Sequence, residues 1–338
     1  MIVLVERARR SRALALAVAM AVSGCSGPVP SPPDGASPSI HASGSTTVPS
    51  GPTLASAPAS PSPRASASGP PVVLAELHGT IAFAHDDGIW TADADGTQRR
   101  QLTHDGGFDP TLSPDGRQIV YRLLLEHDDG EIWVMDADGA HRRDLVDDPA
   151  FSDWGPAFSP DGRRIAFDSN RIGGLALWTM AADGTDQRIL TRGHGEYPSW
   201  SPDGKRLAYA GGPYYDIRIV GADGSDDHAV ATTAAYDMGP AWSPDGSWIA
   251  YHTQVDWFPA VDEPGQGDQM EIHLVRPDGT DDHRITDDQV EDSFAAWSPD
   301  GAHLMWSRHG ELVVARPDGS GRIAIGPGNF PSWISWVP

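Results

Sequence analysis

Tyr197-Pro198-Ser199-Trp200-Ser201-Pro202-Asp203-Gly204, followed by Arg206-Leu207-Ala208-Tyr209, decides the fold of this 338-residue chain. Pro-Asp-Gly is turn chemistry: proline presets φ, aspartate bonds nearby backbone, and glycine supplies a positive φ. The alternating apolar run behind it reads as a strand. The segment is therefore a strand, a tight hairpin and a second strand. Ser-Pro-Asp-Gly begins at Ser113, Ser159, Ser201, Ser243 and Ser298. Runs such as Ile119-Val120-Tyr121, Ile165-Ala166-Phe167 and Ile249-Ala250-Tyr251 follow it.

A second element starts on an apolar residue and ends on a glycine. Its copies are Ile89 to Gly96, Ile132 to Gly139, Leu177 to Gly184, Ile217 to Gly224, Ile272 to Gly279 and Leu312 to Gly319. Each is followed by a short run of the type Arg188-Ile189-Leu190-Thr191. One repeat is thus four antiparallel strands, a to d. Radial stacking of such sheets covers both faces and protects the edges, which predicts an all-β, six-bladed β-propeller of four-stranded blades. The first repeat has no strand a of its own. Phe330-Pro331-Ser332-Trp333 matches Tyr197-Pro198-Ser199-Trp200, so residues 330–336 are expected to supply it and close the ring.

These motifs, together with Ile132-Trp133-Val134-Met135-Asp136-Ala137-Asp138-Gly139, resemble the WD-like repeats of the TolB propeller family over residues 78–336. The resemblance implies the fold and leaves the activity open. TolB itself carries an N-terminal α/β domain where this chain has a Ser/Pro-rich segment, so the likeness is to the propeller and not to TolB itself. Propellers of this kind also precede the hydrolase domain of prolyl oligopeptidases, but the chain contains no Gly-x-Ser-x-Gly elbow.

Ahead of the repeats, Arg7, Arg9, Arg10 and Arg12 precede an apolar run from Ala13 to Val22 and then Ser23-Gly24-Cys25. The run is shorter than the roughly 20 residues that span a bilayer. Residues 1–24 read as a lipoprotein signal peptide, and Cys25 as the acylated first residue of the mature chain. It is the chain's only cysteine, so an internal disulfide framework is excluded. Residues 25–71, rich in Ser, Pro and Ala, read as a disordered tether, and residues 72–338 as the propeller. This predicts export and a lipid anchor on the outer face of the cytoplasmic membrane or the cell surface, or on the outer membrane if the cell has one.

The net charge is −23, more negative once residues 1–24 leave with their four arginines. A polyanion of this kind disfavours nucleic acid. Expected partners are an envelope protein or ligand, met by a monomer.

The aspartate of each Ser-Pro-Asp-Gly turn is read as structural. Asp93-Ala94-Asp95-Gly96 and Asp136-Ala137-Asp138-Gly139 match calcium loops only in part and lack the downstream glutamate. Counting back from the Pro-x-Trp motif aligns Gly107, Asp153, Gly195, Asp237, Asp292 and Gly328. Asp153, Asp237 and Asp292 would form an acidic collar facing a common volume and binding a divalent cation, calcium or manganese. The alternative is that each caps its own loop. His85, His127, His194, His252 and His309 fall in or beside loops of the same rim. Tyr214 and Tyr215, and Trp257 and Phe258 in a long insertion between His252 and Gln269, are candidate partner contacts. The leading function is a surface-displayed binding scaffold with no catalytic residues. The runner-up is a metal-assisted saccharide lyase or hydrolase at the channel mouth.

Overall fold

The computed structural model describes residues 69–85, 88–124, 130–146, 148, 150–233, 235–254, 270–288, 290–325 and 332–338. Six four-stranded antiparallel sheets follow one another. Blade 4 shows the plan, with strand a at Gly195–Trp200, b at Arg206–Gly211, c at Asp216–Gly221 and d at His228–Ala231. The other inner strands are Phe108–Leu112, Asp153–Phe158, Tyr236–Trp242 and Asp292–Trp297. Blade 1 takes its strand a from the other end of the chain, Ser332–Val337. Inner strands touch in blade order, and that of blade 1 meets both blade 2 and blade 6. The ring is therefore closed by the C-terminal strand, as the repeats predict.

The closing register differs from the sequence alignment by three residues. Trp336 pairs with Ile81 and Ser335 with Ala82, as Trp200 pairs with Leu207 and Ser199 with Ala208. Ser335 Oγ accepts the Leu112 amide of blade 2, just as Ser199 Oγ accepts the Trp242 amide of blade 5. Trp333-Ile334-Ser335-Trp336 is thus the counterpart of Tyr197-Pro198-Ser199-Trp200. The earlier match was a coincidence of Pro-Ser-Trp spacing, and the collar equivalent of Gly328 moves to Pro331, outside the described residues.

The turns explain themselves. In all five Ser-Pro-Asp-Gly hairpins the serine hydroxyl donates to the aspartate at 2.6–2.7 Å. The same carboxylate accepts the amide two residues on at 3.0–3.1 Å. These bonds hold all five carboxyls below their ordinary value, the serine hydroxyl being the larger cause. In the c–d hairpins Asp95, Asp183, Asp223 and Asp278 each accept the amide and hydroxyl two residues on, so the partial calcium motifs serve their own turns.

Hydrophobic burial lies between blades. One cluster joins Ile272, Leu274 and Ile285 of blade 5 to Trp297, Leu304 and Trp306 of blade 6, and five further clusters fill the other gaps. The strand-a tryptophans reach back across these gaps. Trp200 Nε1 donates to Ala157 O and Trp297 Nε1 to Ala241 O, each at 3.1 Å. The chain approaches blade 1 over the c–d hairpin of blade 6, where Val72 N donates to Gly321 O and Arg316 Nη1 to Pro70 O, both at 2.9 Å. It therefore enters the propeller from the hairpin rim.

Candidate functional site

Every inner strand is broken at one point by a register shift, which begins three residues before its last aromatic or leucine side chain. The residue there is Asp109, Gly155, Tyr197, Gly239, Phe294 or Trp333 in turn, each with φ between +53° and +60°. A bulge re-aims side chains. For non-glycine residues this backbone costs about 1–2 kcal/mol, a strain that concentrates at functional positions. Three of the six re-aimed side chains are aromatic, and they meet. Trp333 lies 5.5 Å from Tyr197 and 5.7 Å from Phe294, centroid to centroid. Blades 1 and 4 are opposite one another, so these rings cross the axis. Tyr197, Phe294 and Trp333 are nevertheless only partly buried, so accessible space persists around them.

Two of the six are glycine, and the reason is visible. A Cβ on Gly155 would stand 2.6 Å from Asp168 Oδ1, and one on Gly239 would stand 2.8 Å from His252 Cε1. Asp168 and His252 hold the same position in strand b of blades 3 and 5, which also carries Arg122 in blade 2 and Ala210 in blade 4. The bulge glycines thus make room for two buried polar side chains. Asp168 is 2 % exposed and His252 is 1 % exposed.

On the side away from the hairpins Asp168 belongs to a buried acidic cluster. Asp168 Oδ1 accepts the Tyr197 amide at 3.3 Å. Its carboxyl is pushed well up, first by burial and next by the charge of Glu196, with Asp109 adding and Arg122 opposing. Asp109 is tied to Arg122 Nε at 2.9 Å. Glu196, itself buried, faces His194 Nε2 at 2.9 Å and accepts from Tyr215 Oη at 3.2 Å. Tyr215 packs edge-on against His194 and Tyr236, and its hydroxyl is pushed up by burial and then by Glu196, beyond the usual phenol range. The His252 ring lies 4.9 Å from Phe294. Burial alone pushes its imidazole down to about 4, and its Nδ1 has no hydrogen-bond partner among the described residues.

The collar aspartates are arranged differently. All three are fully buried, each held by groups of its own blade or of the loop leading into it. Asp153 is held by Arg171 Nη2 at 2.8 Å. Asp237 accepts the Thr233 hydroxyl at 2.7 Å and the Thr233 amide at 3.1 Å. Asp292 accepts Trp306 Nε1 at 2.7 Å and Arg308 Nη1 at 2.9 Å. Burial pushes Asp237 up to about 7 and Asp292 to about 6. The structure does not gather them, and among the described residues no three His, Cys, Asp or Glu side chains are grouped to hold a metal ion. Equivalent positions share a radius, but their side chains point into the blades.

Of the other candidates, Tyr214 is 72 % exposed at the b–c turn of blade 4, next to the half-buried Tyr215. His194 and Tyr215 join the acidic cluster through Glu196. His252 belongs to a strand, Ile249–Gln254, which continues past the point where the insertion was expected to begin. Cys25, His127, Trp257 and Phe258 lie outside the described residues. Sequence reading missed Asp168, Glu196, Arg122 and the aromatic crossing. The available signal was a charged or polar residue directly after the apolar triplet of strand b, where other blades carry alanine.

Comparison with known proteins agrees with this architecture. The model of the TolB beta propeller domain matches residues 85–262, more than half of the chain. A putative TolB from Agrobacterium tumefaciens is 21 % identical with a TM-score of 0.59, the match covering 77 % of this chain and 98 % of that one. TolB from Acinetobacter baumannii is 19 % identical with a TM-score of 0.63, over 78 % of this chain and 67 % of that one. A chain from a nidogen/laminin complex is 12 % identical with a TM-score of 0.61, over 77 % of this chain and 99 % of that one. At such identities the likeness is one of fold. Taken with the repeat motifs and the six blades, the family match places this chain in the TolB β-propeller family.

Proposed function

We propose that the protein is a binding scaffold of the cell envelope, anchored by a lipid on Cys25, which presents the rim opposite its hairpins to another envelope protein. The observation that carries this reading is the difference between the rims. Hairpin carboxylates are consumed by their own turns, whereas the opposite side combines a buried acidic cluster with an exposed Tyr214. An exposed tyrosine is a favoured anchor for protein contacts. Residues 70–72 lie against the c–d hairpin of blade 6, on the rim opposite Tyr214. That a propeller of similar fold occurs in a nidogen/laminin complex supports a protein partner.

A photo-reactive residue at position 214, and separately at position 117 on the hairpin rim, tests this in the native envelope. A discrete protein adduct is expected from 214 and none from 117. Adducts from 117 alone would overturn the reading. Cys25→Ala is expected to move the protein from washed membranes to the soluble fraction, and retention would exclude the anchor.

A further inference from the structure

The rim opposite the hairpins carries a distinct feature on its surface. Among the described residues three large apolar side chains are exposed, and two of them, Ile172 at 47 % and Tyr214 at 72 %, cap the b–c loops of the neighbouring blades 3 and 4. Backbone bonds set the loop that joins these blades between those two loops. Gly195 N donates to Leu175 O on one side and Gly212 N donates to His194 O on the other, each at 3.3 Å. The middle loop exposes Arg192, which has no ion-pair partner among the described residues. The exposed positions, 172–174, 192–193 and 213–214, hold Ile172, Arg192, Pro213 and Tyr214 and otherwise glycine. None is acidic, on a chain whose net charge is −23.

These loops are held from below, so their exposure is built in. Asn170 Oδ1 accepts the Ser152 amide at 3.0 Å and Asn170 O accepts the Gly173 amide at 2.9 Å, which fixes the turn under Ile172. Arg171 is tied to Asp153 at 2.8 Å. Thr191 Oγ1 accepts the Leu177 amide at 3.1 Å at the base of the Arg192 loop. Tyr215, next to Tyr214, donates its hydroxyl to Glu196 at 3.2 Å, and its carbonyl accepts the Asp237 amide at 2.8 Å. A preorganised surface gives up little freedom on binding, and tyrosine and arginine are enriched among the residues that anchor interfaces.

Resting on the reading above, we propose that blades 3 and 4 present Ile172, Arg192 and Tyr214 as one docking surface for a partner protein that sets a carboxylate between apolar side chains, the carboxylate meeting Arg192. A second copy of the chain is a poorer occupant, because a two-fold contact centred on this surface would bring arginine to arginine. An anionic membrane is poorer too, since it repels a chain of this net charge.

A photo-reactive residue at position 172 or 214 of the full-length protein, irradiated in the native envelope, tests this, with the cross-linked peptide of the partner mapped by mass spectrometry. Expected is the same protein from both positions, captured on a segment that holds an Asp or Glu beside apolar residues. Arg192→Glu is expected to lower the yield at least about tenfold and Arg192→Lys to keep most of it. Arginine in place of the partner's carboxylate should then restore the yield with the Arg192→Glu protein. Different proteins from the two positions, a yield indifferent to Arg192→Glu, or no restoration by the charge exchange would each overturn the proposal. The substituted positions are exposed, and circular dichroism checks that the variants fold alike. An adduct from 214 that persists in Arg192→Glu, with none from 172, would leave the rim as the partner face while removing this surface and its chemistry. No adduct from 214 would remove both.

Discussion

The two rims use the same amino acid in opposite ways. On the hairpin rim Asp115, Asp161, Asp203, Asp245 and Asp300 are largely exposed, accept a serine hydroxyl and a backbone amide, and sit below their ordinary value. On the opposite rim and in the channel Asp168, Asp237 and Asp292 are buried and pushed up. Repetition marks where a carboxylate is turn chemistry, and divergence between blades marks where it is placed at a cost. The site therefore lies where the blades differ.

The most severe way to break the ring is to remove residues 332–338. Ile334 and Trp336 are buried in the cluster shared by blades 1 and 6, so the truncated chain is expected to lose its cooperative thermal transition. Trp336→Ala alone should cost about 3–5 kcal/mol in denaturant unfolding. An unchanged midpoint in either would show that closure does not depend on this strand.

Gly239→Ala challenges the bulge. Its Cβ would meet His252 at 2.8 Å from a backbone at φ +60°, and a loss of about 2–3 kcal/mol is expected from strain and displacement. Pairing it with His252→Ala should recover part of that loss, because the obstruction is then gone. Additive losses would contradict the steric account.

The rims should also titrate in opposite senses. The folded-state value of Asp237 lies near 7 against an ordinary 3.8. Between these values the folded protein binds the proton more tightly than the unfolded chain, so this group's contribution to stability falls as pH rises from about 4 to 7 and is level above. Asp237→Asn should flatten that decline, a difference on the order of 2 kcal/mol between pH 5 and pH 8. The depressed hairpin carboxyls act oppositely, since their stabilisation is present above their ordinary value and lost as pH falls below it. Ser159→Ala removes the hydroxyl that holds Asp161 and should cost about 1 kcal/mol near neutral pH, less in acid. A profile in which both variants shift the same limb would refute the division.

Much of the fold was legible because turn chemistry and strand period recur together: Ser201-Pro202-Asp203-Gly204 and Leu207-Ala208-Tyr209 fix a hairpin wherever they appear. The closing register was not, since Phe330-Pro331-Ser332-Trp333 carries the motif letters three residues early, and only pairing with Ile81 and Ala82 distinguishes the two. The collar shows a second limit. Sequence places Asp153, Asp237 and Asp292 at one level, but side-chain direction around a bulge does not follow from simple alternation. The same bulge turns Tyr197, Phe294 and Trp333 toward the axis, and that contact joins residues from opposite blades which no local pattern links.

Carboxylate carbon shifts of the aspartates, followed by NMR across pH, test the central claim most directly. The account predicts that Asp168 titrates well above the hairpin aspartates Asp115 and Asp161. An Asp168 that titrates with the hairpin set would contradict it.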